Sequence, residues 1–337
     1  MNTIHGIQMI GTQRSGSNLL RVIMDQSPDI ASPHPPHILV TFMPLLELYG
    51  PMADDRNYRQ LVSDVVDYVN ANPVPWEGVK LDKEKITGTS VSNSLFEINR
   101  LIYEEAARSK NARLWCCKSM NNVYFAEELE EHQSIQKYIY LYRDGRDVAA
   151  SFKKAIVGEK HAYFLARQWK EDQEECLKLK QQVPAERFFS LNYESLITSP
   201  EQTIKELCRF LDIRFTAEML HYYSSSTSKI AAASGDMWKN LEKPIMNNNS
   251  GNFFRSFKEN DLEIFELVAG ETLRKLNYPL YSVSADTDLI SSSNIEVYKN
   301  ENIRLKKQSV IDAAKNDLEK RKPQENIIAE IKERVLV

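Results

Sequence analysis

The chain has 337 residues, 27% of them charged, and a formal net charge of −4. That length can bury a full α/β core, and the near balance of charge excludes a generally basic nucleic-acid-binding surface. No segment reaches the run of about 18 apolar residues that spans a membrane, and the first residues show no leader pattern, so a cytoplasmic protein is expected.

In chain order, a strand over 6–11 is followed at once by Gly11-Thr12-Gln13-Arg14-Ser15-Gly16-Ser17-Asn18 and an apolar helical stretch, 16–27. A strand that turns through glycine into a helix leaves backbone N–H groups aimed one way, with the helix dipole behind them, which suits phosphate or sulfate oxygens. The glycine spacing matches the triphosphate loop G-x-x-x-x-G-K-[ST], but Ser17 and Asn18 stand where the lysine and the magnesium-binding hydroxyl belong. The cation of this loop is Arg14. Helices are expected next at 37–49, 56–71 and 93–109, then a strand over 113–117 that ends on Lys118, then a helix at 122–131.

Tyr138 to Tyr142 form a third strand, within 137–142, and Asp144 can cap a helix over 145–155. Arg143 then sits at the carboxyl end of a strand, the edge where open α/β sheets bind ligands, and Ser151 follows two helical turns later. Pairing of Arg143 and Arg146 with Asp144 and Asp147 is the purely structural alternative. A helix at 160–182, a strand at 187–191 and helices at 201–211 and 258–276 complete the pattern. Such alternation implies a parallel sheet covered on both faces. The stretch Ser224 to Asn252 is polar and reads as a loop, suited to a lid over a bound ligand. Beyond Pro279 the composition becomes charged, and Ile303, Val310, Ile311, Ala314 and Leu318, then Ile327, Ile328 and Ile331, recur at helical spacing on either side of Pro323. Two amphipathic helices are expected there. A main domain over 1–283 and a helical extension over 284–337 follow.

These motifs resemble those of the sulfotransferases that use 3′-phosphoadenosine 5′-phosphosulfate (PAPS). Gln13 to Asn18 match the family's x-x-[RK]-[ST]-G-[ST]-[TN] loop, and Arg143 to Ser151 its R-D-x-R-D-x-x-x-S element. Leu191 to Leu196 with Pro200 and Ile204 to Leu211 look like its Y-E-x-L…P…L-C-x-F-L segment, and Asn249 to Arg255 is similar to its late glycine-containing loop. The resemblance implies a three-layer, P-loop-like α/β fold with a central parallel sheet. It implies that Gln13, Arg14, Ser15, Gly16, Ser17 and Asn18 hold the 5′-phosphosulfate, and that Arg143, Ser151, Gly251 and Arg255 hold the 3′-phosphate. Tyr193 would lie near the adenine.

By the same resemblance Lys118 contacts the transferring sulfuryl group. Many members carry histidine two residues after that lysine, where this chain has Met120. The base is then sought in Ala31 to Ile38, where His34 and His37 can accept a proton near neutral pH, His34 being preferred. No metal is called for, since N–H groups and cations can stabilise the transferring group. The acceptor is expected to be a hydroxylated small molecule, and the apolar run Ile38 to Tyr49 leans toward a lipophilic alcohol such as a sterol or phenol over a sugar. A homodimer is a candidate assembly. Two other classes remain in view: a metal-dependent phosphotransferase, and a noncatalytic nucleotide-binding protein that has lost its base. The four cysteines, Cys116, Cys117, Cys176 and Cys208, lack metal-ligand spacing and suit a reducing compartment, the adjacent pair pointing to opposite faces of its strand.

Overall fold

The computed structural model describes residues 3–258, 260–282, 286–313 and 315–334; the expected boundary at 283/284 and Ala314 lie outside the described residues. Five strands, β1 (His5–Ile10), β2 (Ile30–Ala31), β3 (Leu114–Cys117), β4 (Ile135–Tyr142) and β5 (Phe188–Asn192), form one sheet in the order β2-β3-β1-β4-β5. Every neighbouring pair is parallel, with Ile7 opposite Cys116 on one side and Lys137 on the other.

A parallel sheet needs both faces covered, and the side-chain period of two sorts its residues between two cores. Ile10, Cys117, Tyr138 and Tyr140 enter one core. Ile7, Met9, Cys116, Ile139 and Leu141 enter the other, so the adjacent cysteines do point to opposite faces. The first core is closed by α2 (Asp55–Asn70), α3 (Leu95–Lys110), α5 (Ala162–Gln182) and α7 (Asp261–Lys275). The second is closed by α1 (Ser17–Met24) and α6 (Pro200–Leu211), the latter presenting Ile204, Leu207 and Leu211. Between β4 and α5 runs α4 (Gly145–Lys154), capped by Asp144, whose side chain accepts from the Arg146 N–H as expected.

Several expectations change. The helix expected at 37–49 is a short α-helix, Ile38–Phe42, continued as a 3₁₀-helix Met43–Tyr49 with Pro44 near its start. Ile38, Leu39, Phe42, Leu45 and Tyr49 are all buried in the first core, so they are scaffold. The polar stretch 224–252 is no plain loop: it holds a helix at Ser226–Ala233 and a 3₁₀-helix at Asp236–Glu242. A helix at Lys83–Thr89 lies where none was expected. Among the described residues the C-terminal segment forms three α-helices, α8 (Ser292–Ile311), a short one at Lys315–Glu319 and α9 (Lys322–Glu333), with Pro323 in the first turn of the last. Ile331 enters the first core, and Arg334 pairs with the buried Asp64 at 2.6 Å. Ile303, Val310 and Ile311 of α8 are exposed instead of buried. No helix among the described residues is long and apolar enough to cross a membrane.

Candidate active site

Because all five strands are parallel, their carboxyl ends share one edge, and each delivers a residue singled out in the sequence. The chain after β1 enters the glycine loop, β2 leads to His34, β3 ends before Lys118, β4 before Arg143 and β5 before Tyr193. β1 is central, with β3 and β2 on one side and β4 and β5 on the other, so the loop lies at the switch point where such sheets open a crevice.

The loop's shape depends on two glycines. Gly11 has φ +133° and Gly16 φ +88°, and a Cβ on Gly11 would overlap the Leu141 carbonyl, while one on Gly16 would overlap the Tyr193 ring. Arg14 also holds a left-handed φ of 72°, a conformation that costs a non-glycine residue roughly 1 kcal/mol or more. Gly16 caps α1 without a side-chain hydrogen bond. The Ser15 hydroxyl and the Asn18 side-chain amide oxygen are buried with no partner among the described residues. Thr12 is braced from behind, its hydroxyl accepting from Gln173 Nε2 at 2.7 Å.

Arg14 Nε donates to Ser151 Oγ at 3.0 Å, so the loop and α4 meet directly. Arg143 is packed over the Tyr193 ring, 4.3 Å from its centroid, and donates to the Asn249 carbonyl at 2.8 Å and the Arg14 carbonyl at 3.3 Å. Its Nε has no partner among the described residues. Asn249 in turn donates to the Tyr193 hydroxyl at 2.7 Å. Asp147 lies 3.4 Å from Arg143 and also accepts from the Gly251 and Phe253 N–H groups at 2.8 and 3.1 Å, which docks the late loop onto α4. Gly251 thus serves through its backbone, with φ +69°. Arg255 is exposed on the short helix Phe253–Ser256 and does not line the cleft.

The structural alternative for the second motif applies to Arg146. It is fully buried, paired with Asp144 and Glu266 at 2.6 Å each, and held between Phe253 and Tyr281. Glu194, beside Tyr193, accepts from the Asp144 N–H at 3.2 Å and the Tyr278 hydroxyl at 2.9 Å, fixing the turn that aims Arg143.

Lys118 is buried, and burial together with the neighbouring Arg21 and Arg14 lowers its pKa to about 7. Gln8, wholly buried, holds the peptides around it: its amide donates to the Cys117 and Ser119 carbonyls at 3.1 Å each and accepts from Asn122 at 3.0 Å. His34 is buried against Trp238, ring centroids 4.9 Å apart, and neither ring nitrogen has a partner among the described residues. Burial, then Lys118 and Arg21, keep it neutral. His37, at φ 61°, is lowered to about 3 by burial and then Lys118. The basic side chains thus concentrate where the carboxyl ends converge, an electrostatic setting made for a polyanion.

Arg14, Gly16, Ser17, Asn18, Arg143, Ser151 and Tyr193 line one cleft of about 470 Å³. Sequence reasoning missed its far wall, supplied by Tyr222, Trp238, Leu241 and Met246. A tryptophan alone in a polar stretch was the available signal. Two buried flanking aromatics, Tyr193 and Trp238, give the cleft faces suited to a planar base, and its arginines suit phosphates. Among the described residues no cluster of three or more His, Cys, Asp or Glu is placed to hold a metal ion.

Comparison with known proteins agrees with this geometry. A nematode protein from Caenorhabditis briggsae, described as "Putative protein-tyrosine sulfotransferase", is 24% identical over 298 residues, covering 84% of this chain and 95% of its own. Among solved structures, the sulfotransferase domain of the Synechococcus PCC 7002 olefin synthase is similar with a TM-score of 0.56 at 20% identity, covering 83% of this chain and 98% of that one. The sulfotransferase domain of the curacin biosynthetic pathway is similar with the same TM-score and identity, covering 83% of this chain and 100% of its own. The model of the sulfotransferase family matches residues 6–217, a span that contains Arg14, Lys118, Arg143, Ser151 and Tyr193. The chain belongs to the sulfotransferase family.

Proposed function

We propose that this sulfotransferase moves the sulfuryl group of PAPS to an acceptor hydroxyl and releases adenosine 3′,5′-bisphosphate. The carrying observation is the convergence of Arg14, Arg143 and Ser151 on one aromatic-walled cleft, with Lys118 buried directly after β3. The orphaned Ser15 hydroxyl, Asn18 oxygen and Arg143 Nε fit a ligand with several anionic groups.

PAPS supplies a sulfuryl group activated by its bond to the 5′-phosphate. The α1 N-terminus and Arg14 hold the 5′-phosphosulfate, a mixed anhydride, and Arg143 with Ser151 holds the 3′-phosphate. The expected division between these two ends is softened by the Arg14–Ser151 hydrogen bond, which lets Arg14 bridge them. As the acceptor oxygen bonds to sulfur and the bond to the 5′-phosphate oxygen breaks, negative charge grows on that oxygen. Arg14 and Lys118 neutralise it. The acceptor proton passes to a neutral imidazole, for which His34 and His37 are the candidates.

For the acceptor, the apolar run at 38–49 argues little, because most of it is core. Of the two lipophilic alcohols expected, the phenol keeps support, from the description of the nematode relative. Four free buried cysteines fit a cytoplasmic setting.

The test is calorimetric titration with adenosine 3′,5′-bisphosphate and with adenosine 5′-phosphate, each in chelator. Much tighter binding of the bisphosphate is expected. Equal binding would overturn the donor assignment, and restoration by magnesium would favour the phosphotransferase.

A further inference from the structure

The donor cleft shares one boundary, formed by Lys154, Ala155, Asp236 and Met237, with a second cavity of about 760 Å³. The far wall of that cavity is α8, a helix that lies outside the 6–217 match to the family. We propose that Lys154 is a further contact for the donor's 3′-phosphate and that Asn302 of α8 is the residue that positions it. The inference rests on the sulfuryl-transfer reading above and deepens it, by extending the 3′-phosphate site beyond Arg143 and Ser151.

Lys153 and Lys154 end α4, and Lys160 follows in the next turn. Two of these lysines are already engaged. Lys153 pairs with Asp261, and the buried Lys160 ammonium donates to the Phe152, Ala155 and Val157 carbonyls at 2.8, 2.6 and 2.8 Å, closing the end of the helix. Lys154 is exposed and has no hydrogen bond or ion pair among the described residues, yet it lines the donor cleft. It stands three residues after Ser151, about 4.5 Å along α4 and on the same face. A phosphate monoester carries nearly two negative charges at neutral pH. Arg143, the cation assigned to it, is partly offset by Asp147 at 3.4 Å. A second cation on a flexible stem beside Ser151 supplies charge where the site is short of it.

The C-terminal extension holds that end of α4 in place. Asn302 is buried, on a helix whose Val297, Ile303 and Val310 are exposed. Its Oδ1 accepts from the Lys160 and His161 N–H groups at 2.8 and 3.0 Å, and its Nδ2 donates to Glu159. Tyr298 and Lys306, four residues to either side and so on the same face of α8, add to the grip. The Tyr298 ring stacks on His161, centroids 4.1 Å apart, and Lys306 pairs with Glu159 at 2.9 Å. Residues 159–161 are thereby fixed, and the Lys160 ammonium carries that constraint back to the last turn of α4, which bears Lys154. A buried amide with both ends satisfied holds one arrangement, and losing it leaves two N–H groups unpaired. On the opposite wall, Asp317 accepts from the Asp236 N–H at 3.3 Å and Lys320 donates to the Ala233 carbonyl at 2.6 Å. The chain after α8 is thus pinned to the stretch that also lines the donor cleft through Asp236 and Met237.

The test is calorimetry on the full chain with adenosine 3′,5′-bisphosphate and adenosine 5′-phosphate, at fixed salt, for wild type, Lys154→Ala, Lys154→Arg, Asn302→Ala and the double variant. Lys154→Ala should raise bisphosphate Kd about five- to twentyfold and leave 5′-phosphate Kd within about twofold, while Lys154→Arg keeps most of the affinity. Asn302→Ala should raise bisphosphate Kd in the same selective way, and the double variant should lose little more than the larger single loss, because both act on one contact. Lys154 is exposed, so its replacement spares the fold. Melting checks Asn302→Ala, and Tyr298→Ala, a milder change on the same face, should shift bisphosphate Kd in the same direction. Unchanged bisphosphate binding in Lys154→Ala, or equal losses for both nucleotides, overturns the Lys154 contact. Full additivity of the two substitutions overturns the positioning role of Asn302. Wild type that fails to discriminate the two nucleotides overturns the donor reading itself, whereas strong discrimination untouched by Lys154→Ala leaves that reading standing without this contact.

Discussion

Replacing Arg143 with alanine removes the guanidinium that closes the cleft beside Ser151. In the structure it donates to the Asn249 and Arg14 carbonyls and its Nε has no partner among the described residues, so on the proposed assignment a 3′-phosphate would meet a donor already desolvated. A charge-assisted arginine–phosphate contact contributes about 2–4 kcal/mol in such a site, so bisphosphate Kd should rise roughly 30- to 1,000-fold. Part of any loss could come from loosening Asn249 and the Tyr193 ring, which Arg143 also touches. Adenosine 5′-phosphate reads that part alone, because it has no 3′-phosphate, and its Kd should rise under about tenfold. The assay is calorimetry with both nucleotides on both proteins at fixed salt. Equal losses for the two nucleotides, or none for the bisphosphate, would refute the assignment of Arg143 to the 3′-phosphate.

Other predictions follow from the same geometry. Lys118, with its pKa lowered to about 7, should gain a proton when a polyanion binds; at pH 8, calorimetry in buffers of differing ionisation enthalpy should show uptake approaching one proton, abolished in Lys118→Met, whose kcat should fall by about 10²-fold or more. Gly16→Ala should weaken bisphosphate binding and lower stability by roughly 1–3 kcal/mol, since the new Cβ meets Tyr193 at a left-handed φ; unchanged melting and affinity would contradict the packing. Asp172 is buried and its pKa raised to about 6, chiefly by burial, above an unfolded value of about 3.9. The folded state therefore holds the extra proton, and stability from this group is full below about pH 4 and lost as pH rises through about 6, up to roughly 3 kcal/mol. Asp172→Asn should match wild type in melting temperature near pH 4 and exceed it at pH 7.5; an advantage independent of pH would refute this.

The parts of the site written locally were legible in the sequence. Gly11 and Gly16 announce the loop because the backbone there needs left-handed φ, and Arg143 follows directly from the end of an unmistakable apolar strand. β2 was not visible, since two residues, Ile30 and Ala31, carry no periodicity. Trp238 and Tyr222 were missed for a different reason: their place in the cleft is set by the folding of a distant, polar stretch onto α1, which local pattern does not encode. The apolar run at 38–49 misled in the opposite direction, since the same composition serves a core wall and a lipophilic pocket equally well. Gln8 shows a third kind of blindness. A polar residue inside a strand reads as an interruption until its partners, Cys117, Ser119 and Asn122, are brought beside it from more than a hundred residues away.

The most direct test of the account is turnover itself. Purified protein incubated with sulfur-35-labelled PAPS, a chelator and N-acetyltyrosinamide should transfer label to the phenolic oxygen and release one adenosine 3′,5′-bisphosphate per ester formed, and Arg14→Ala should abolish transfer while some bisphosphate binding remains. Tight bisphosphate binding by wild type with no label transferred to this or any other hydroxyl acceptor tried would contradict the claim that the cleft performs sulfuryl transfer.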